Sequence, residues 1–426
     1  KKMLKNTVLK QKQERERLLS LPYVERTKTD EAKKWLDSDL IKVVLGPRRS
    51  GKSVFSLMLL RDRPFAYFNF DDEIVSSRQD EFKHDELLQE LHAAYGETKC
   101  ILFDEIQNLP RWELFVSRLH REGYNLVLTG SNANLLSKEL STALTGRHIP
   151  IEILPFSFKE FLRAKKYETS PGEFLPPEKK NRLLSLLGQY LVTGGYPEAV
   201  VKNLDSAEYL DVLFDSLLFK DVVKRHKIRF PEQIDNLGSY LINNVSCLYS
   251  FRKLSDILGF KSDITLEKYV SYLIEAYIIF SLRRYSRKAG ERLKSPKKLY
   301  VVDNGFINAK AVQHSPDTGK LLENLVFTEL VKRGFEPNRD LFYYKTRNDR
   351  EIDFLLKRGV EIAELIQVAY ELNSPAAEQR EIKALVEAGR ELTVNKLTII
   401  TWNERREVKK NGLVINLVPV WERFLD

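Results

Sequence analysis

Residues 41–60 read "IKVVLGPRRSGKSVFSLMLL", and this stretch decides the first half of the fold. A β-rich run, Ile41–Leu45, leads into a G-x-x-x-x-G-K-S loop, Gly46–Ser53, and then into an apolar helix. That order suits the mechanism of a phosphate-binding loop, which needs a strand before it and a helix N-terminus after it. Gly46 and Gly51 let the backbone curl, so that the N–H groups across Pro47, Arg48, Arg49 and Ser50 face an anion. Lys52 would reach the β- and γ-phosphates of ATP, and the Ser53 hydroxyl would take one position on Mg2+.

Working outward, "KCILFDEIQNL" is a buried strand closed by two carboxylates, about fifty residues downstream. Asp104 is expected to hold the magnesium and Glu105 to act as general base or to orient water. "FAYFNFDD" (65–72) and "YNLVLTGSNANLL" (124–136) add two more strands. The second ends where Ser131 and Asn132 would stand beside the γ-phosphate. Arg147, in "LTGRHIPIEILPF", precedes a fifth strand. In a homo-oligomer it would serve as an arginine finger in a neighbour's site.

The chain has 426 residues, enough for two to four domains. Apolar residues make up 43% and charged residues 30%. No run of 18 apolar residues appears, so no membrane span is expected. Cys100 and Cys247 are the two cysteines, too few for a disulfide framework or a cysteine metal site. A reducing, cytoplasmic setting is expected. The net charge of +9 is unevenly spread: "SLRRYSRKAGERLKSPKK" (281–298) carries eight Lys/Arg against one Glu. Positive charge of that density suits a polyanion such as DNA.

"GPRRSGKS", "LFDEIQ", "TGSNA", "LTGR" and "PFSFKEF", followed by "GGYPEAV" at 194–200, together resemble a family of AAA+-like P-loop ATPases common in archaea. Members pair the ATPase with a C-terminal region similar to PD-(D/E)xK nucleases. The resemblance implies the same roles for Lys52, Ser53, Asp104, Glu105 and Arg147 that their chemistry suggests. It places "GGYP" in a helical lid, although no second sensor arginine is evident there.

The expected architecture is multidomain α/β: an N-terminal helical arm (1–35), a parallel-sheet P-loop NTPase core of the ASCE/AAA+ type (36–155), a helical lid (156–226), a winged helix-turn-helix (227–303) and a restriction-endonuclease-like α/β domain (304–426). In the winged helix, Lys261, Lys268, Arg283, Arg284, Arg287 and Lys288 are the candidates for phosphate contacts, which position DNA without reading its sequence. In the last region an α-β-β-β-α-β order is read from "TGKLLENLVFTELVKRG", "DLFYYKT", "REIDFLLKRG", "IAELIQVAY", "PAAEQREIKALVEAGREL" and "NKLTIITWN".

An active nuclease of that type carries a carboxylate on one strand and E-x-K on the next. Asp353 and the helix acid Glu323 fit, but E-x-K has become Gln367-Val368-Ala369. Gln367 brings an oxygen without charge, and Ala369 carries no ammonium. Lys345 is the candidate to supply it from the preceding strand. Two readings follow. One is an ATP-driven protein that acts on DNA through a winged helix and a degenerate nuclease-like domain. The other is a nucleotide-dependent switch or scaffold bound to a protein partner, without nuclease activity.

Overall fold

The structure, a computed structural model, describes residues 2–72, 83–131, 146–170, 172–311, 317–372 and 374–426. They form two compact units, Lys1–Pro155 with Glu275–Tyr277, and Phe156–Ile274 with Ile278–Asp426.

The first unit is built on a five-stranded sheet of β1 (Ile41–Leu45), β2 (Ala66–Asn69), β3 (Cys100–Asp104), β4 (Asn125–Gly130) and β5 (His148–Glu152). The strand order is β2-β3-β4-β1-β5, with every pairing parallel. Parallel strands are covered on both faces, so side chains of alternate parity should be apolar on either side. That is the case here. Val43, Leu45, Phe68, Ile101, Phe103, Leu126 and Leu128 form one core, and Val44, Tyr67, Leu102, Val127 and Ile151 the other.

Lys42, on a central strand, is fully buried. Its Nζ donates to Ser38 O at 2.7 Å and to Asn125 Oδ1 at 2.9 Å. The helix Lys2–Ser20 lies along the edge of this sheet, where Gln11 donates to Asn69 O (3.0 Å) and Arg15 to Phe65 O (2.5 Å).

The second unit opens with helices Phe158–Ala164, Pro177–Thr193, Pro197–Lys202, Ser206–Leu217 and Pro231–Asn243. Ser157 and Glu160 close the first with a reciprocal capping box. A three-stranded antiparallel sheet follows, β6 (Leu248–Tyr249), β7 (Ile279–Leu282) and β8 (Lys297–Val301), in the order β6-β8-β7. Helices Phe251–Leu258 and Asp263–Glu275 lie between β6 and β7 in the chain.

Six strands make the last sheet: β9 (Leu341–Lys345), β10 (Glu351–Arg358), β11 (Glu361–Ala369), β12 (Leu397–Thr401), β13 (Arg406–Lys410) and β14 (Leu413–Pro419). Its order is β13-β14-β12-β11-β10-β9. β9, β10 and β11 pair antiparallel, and β11 pairs parallel with β12 across helix Pro375–Leu392.

The helices expected as a lid share their core with this C-terminal region. Tyr190 OH donates to Glu329 Oε1 (2.7 Å), Asn304 Nδ2 to Leu191 O (2.9 Å), and Gly195 N to Asp303 Oδ2 (2.8 Å). The glycine pair of "GGYP" is therefore a close-packing device. A Cβ on Gly194, at φ +72, would lie 1.6 Å from Asp303 Oδ1, and one on Gly195 would lie 2.4 Å from Phe156 O. Among the described residues no helix is long and apolar enough to cross a membrane.

Candidate active site

β1 ends directly in the phosphate loop. Gly46 takes φ +145 and packs where a Cβ would lie 2.0 Å from Ile153 O, so another residue would displace the loop. Gly51 (φ 92) caps the helix Lys52–Leu60, and Arg49 (φ 63) shares the left-handed region. Lys52 is 4% exposed. Its Nζ donates to Pro47 O at 3.0 Å and lies 3.7 Å from Glu105 Oε1, so the ammonium bridges the loop across the space a phosphate would enter.

Ser53 Oγ donates to Asp104 Oδ1 at 2.9 Å. A hydroxyl and a carboxylate so placed are the oxygen donors Mg2+ takes, and these two residues fit the ion. Asp104 is buried at the end of β3 and also accepts from Thr129 Oγ1 and from Tyr67 OH (3.2 Å). Burial and then the neighbouring Glu105 raise its carboxyl above the ordinary range, while the Thr129 and Ser53 hydroxyls oppose that shift.

Glu105 takes φ 51, an uncommon conformation for a residue with a side chain. Burial pushes its carboxyl upward, but Lys52 and Arg48 outweigh this and hold it below its usual range. It therefore stays ionised beside the loop. Gln107 donates to Glu105 and also reaches Ser131 Oγ at 3.4 Å.

Two residues that motif reading passed over complete the geometry. Thr129 bonds to Asp104 and accepts from Glu105 N (2.9 Å), tying both acids to β4. Its place just before "GS" at a strand end was the available signal. Arg26, 5% exposed, donates to Ser50 O (2.9 Å) and Leu154 O, clamping the phosphate loop to the chain beyond β5. No sequence pattern marks it. Asn132 lies outside the described residues.

Arg147 is exposed, and its carbonyl accepts from Ile41 N at 2.9 Å. The register Ile41↔His148 to Leu45↔Glu152 sets it at the end of the sheet opposite Gly46. That separation is on the order of 20 Å along the strand, six residues at about 3.3 Å each. Arg147 cannot serve its own phosphate loop.

Residues 38–162 match the model of an AAA domain. Residues 184–317 and 318–422 match two domains of unknown function, DUF8612 and DUF4143. Over 398 residues the chain is 39% identical to the uncharacterized protein MJ1544 of Methanocaldococcus jannaschii, covering 90% of this chain and 87% of that one. An uncharacterized protein of Haemophilus influenzae is 33% identical over 353 residues, covering 79% and 84%.

The chain belongs to their family. With the phosphate loop and the Asp104–Glu105 pair in place, it is an AAA-type P-loop ATPase. Among solved structures, the Walker-type ATPase PABY2304 of Pyrococcus abyssi is 17% identical and covers 69% of this chain and 100% of its own, with a TM-score of 0.47. The RuvB Holliday junction branch migration motor of Thermotoga maritima is 14% identical over 65% and 99% of the two chains, with a TM-score of 0.32. Both likenesses are too slight to carry an argument.

The second unit of this ATPase sorts the remaining candidates. Glu323 and Asp353 come together, both on the ammonium of Lys298, at 2.7 and 2.9 Å. Lys345 is not brought to them. Its Nζ pairs with Asp349 at 3.1 Å, so the expectation that it replaces the lysine missing at Ala369 is corrected. It stands at the end of β9, cross-strand from Glu351 on β10.

Gln367 is likewise engaged. Its Oε1 accepts from Asp353 N (3.0 Å), and its Nε2 donates to Glu351 O (3.2 Å) and Glu381 Oε2 (2.6 Å). It positions β10 and does not stand free as a ligand.

The basic loop also departs from a free wing. Tyr285 N donates to Tyr343 O (2.7 Å) and Tyr343 N to Arg283 O (3.2 Å), which fastens residues 283–285 to the edge strand β9. Arg284, Arg287 and Lys288 consequently face Lys345 and Arg347 around a cleft of about 400 Å³ that also contains Tyr285 and Tyr344. Lys261 and Lys268 are exposed at the helix Asp263–Glu275 and its approach, and they do not line this cleft.

Proposed function

We propose that this ATPase acts on DNA, using Mg2+-dependent ATP hydrolysis in its first unit and holding nucleic acid on the basic face of its second. The cleft among Arg284, Arg287, Lys288, Lys345 and Arg347 is the observation that carries the reading. It gathers five cations from two separate stretches of chain beside two tyrosines, against the two acids Glu291 and Glu391, so its lining is net positive, whereas a merely solvated loop would scatter the charges. The order of residues 231–301 is helix, strand, two helices, strand, the short helix Ala289–Lys294 and a last strand; with sheet order β6-β8-β7 it supports a winged helix whose wing contains a helical turn. The αβββαβ order from Thr318 to Thr401 supports a nuclease-like scaffold.

Ser53 and Asp104 would hold the magnesium, which when bound neutralises charge on the phosphates. Lys52 would leave Pro47 O for the phosphate oxygens, and Glu105 would orient the attacking water. Because Arg147 stands at the far end of its own sheet, its finger role requires a second copy of the chain. Two free cysteines suit a reducing, cytoplasmic setting.

Phosphate release measured with and without single-stranded, duplex, flapped and four-way DNA tests the proposal. Stimulation by DNA, lost in Arg287→Glu/Lys345→Glu, is the expected result. ATPase activity indifferent to every DNA, with no binding, would transfer the proposal to the switch acting on a protein partner. The engaged Gln367 weighs against DNA cleavage, which the second reading excludes outright.

A further inference from the structure

The acidic centre of the second unit is built around a lysine from a different sheet. Glu323 stands on helix Thr318–Lys332, Glu351 and Asp353 on β10, and Lys298 on β8. Lys298 Nζ lies 2.7 Å from Glu323 Oε1, 2.7 Å from Glu351 Oε1 and 2.9 Å from Asp353 Oδ1, and the residue is 2% exposed. An ammonium has three N–H donors, and here three carboxylates receive them.

The surrounding acceptors are satisfied as well. Tyr300, two residues along β8 and so on the same face, donates to Glu323 Oε1 at 2.7 Å. Asp353 Oδ2 accepts from Val368 N at 2.9 Å. Gln367, at the position where a nuclease would offer a second strand carboxylate, spends its amide on Asp353 N, Glu351 O and Glu381.

Carboxylates from a helix and a strand converging on one buried point are what a hard divalent ion requires. An ammonium and such an ion cannot share that point, since like charges a few ångströms apart without water repel strongly. We infer that Lys298 is a built-in cation, filling the position of a metal so that this centre takes no divalent ion and instead joins the three-stranded sheet to the six-stranded one. Placing the centre at a nuclease's metal position rests on the nuclease-like reading above, whereas the ion-pair geometry does not.

The surrounding charges make the lysine stable there. Opposite charges from three sides hold its ammonium protonated despite burial, as the upward shift of its pKa indicates. Burial pushes the Glu323 carboxyl up, and the Lys298 ammonium and the Tyr300 hydroxyl oppose that shift. The site missing its lysine at Ala369 thus contains one after all, in the place of the ion and not beside it.

Thermal unfolding of the full chain, free of nucleotide, tests this with and without millimolar MnCl2. Any effect of Mn2+ on the wild type, such as one at Ser53 and Asp104, should be unchanged in Asp353→Asn. Lys298→Met should unfold about 10 °C lower, because it leaves buried carboxylates uncompensated. Mn2+ should recover part of that loss in Lys298→Met but not in Lys298→Met/Asp353→Asn. Stabilisation of the wild type by Mn2+ that disappears in Asp353→Asn would overturn the inference, as would a Lys298→Met protein that melts like the wild type.

Should Lys298→Met fail to fold, wild type against Asp353→Asn decides alone, by whether Mn2+ binds in an Asp353-dependent way. DNA binding at the basic cleft is a separate readout, so either proposal can fail without the other.

Discussion

Glu105 illustrates how much the active site depends on single side chains. Its left-handed backbone costs of order 1 kcal/mol, and its carboxylate is kept ionised by Lys52 and Arg48 against the burial that opposes it. Glu105→Gln is expected to retain nucleotide binding while phosphate release falls about a hundredfold or more, as for loss of a general base. Lys52→Ala should instead weaken binding of a fluorescent ATP analogue.

A second residue carries a pH signature. Burial, with Asp353 adding and Lys298 and Tyr300 opposing, pushes Glu323 from 4.5 up to about 8. The folded chain then holds a proton that the unfolded chain has released, so stability is full below the unfolded value and declines as pH rises through 8. Denaturant titrations from pH 5 to pH 8.5 (about the ordinary working range) should show this decline, and Glu323→Gln should flatten it.

Among the elements, the turn after helix Pro177–Thr193 is the tightest. Gly194 N donates to Tyr190 O, Gly195 N to Asp303 Oδ2 and Gly305 N to Asp303 Oδ1. A side chain at Gly194 meets both a positive φ and the Asp303 carboxylate. Gly194→Ala is expected to cost more than the roughly 1 kcal/mol of the backbone conformation alone, because Asp303 must move and give up buried hydrogen bonds. Unfolding of the second unit, followed by tryptophan fluorescence, would reveal the loss, and an unchanged midpoint would contradict it. The pairing of residues 283–285 with β9 works on the same scale, turning a charged loop into one wall of a cleft.

At the scale of the whole molecule, Arg147 and the phosphate loop lie at opposite ends of one sheet. If copies of the chain complete each other's sites, Arg147→Ala and Lys52→Ala proteins should each be inactive, yet a mixture should recover part of the activity. No recovery at any ratio would remove Arg147 from catalysis in trans. Affinity for single-stranded DNA should fall steeply with salt, and removing two cleft cations should make the slope shallower by about 0.7 per lost phosphate contact.

What the linear sequence determined was local chemistry. A strand, a glycine loop and a helix in register specify a phosphate site, because the loop's own backbone supplies the donors; "LFDEIQ" adds its acids from the end of one strand. The largely continuous apolar runs of its strands likewise suit a sheet covered on both faces. Tertiary structure alone decided which distant groups meet. Thr129 and Arg26 reach the site by strand pairing and by a buried side chain 24 residues from Ser50. Lys298 stands 55 residues from Asp353 on another sheet, where no spacing could reveal it. A charge taken from water must find its partner across the fold, and that partner's identity is a property of packing and not of neighbouring sequence.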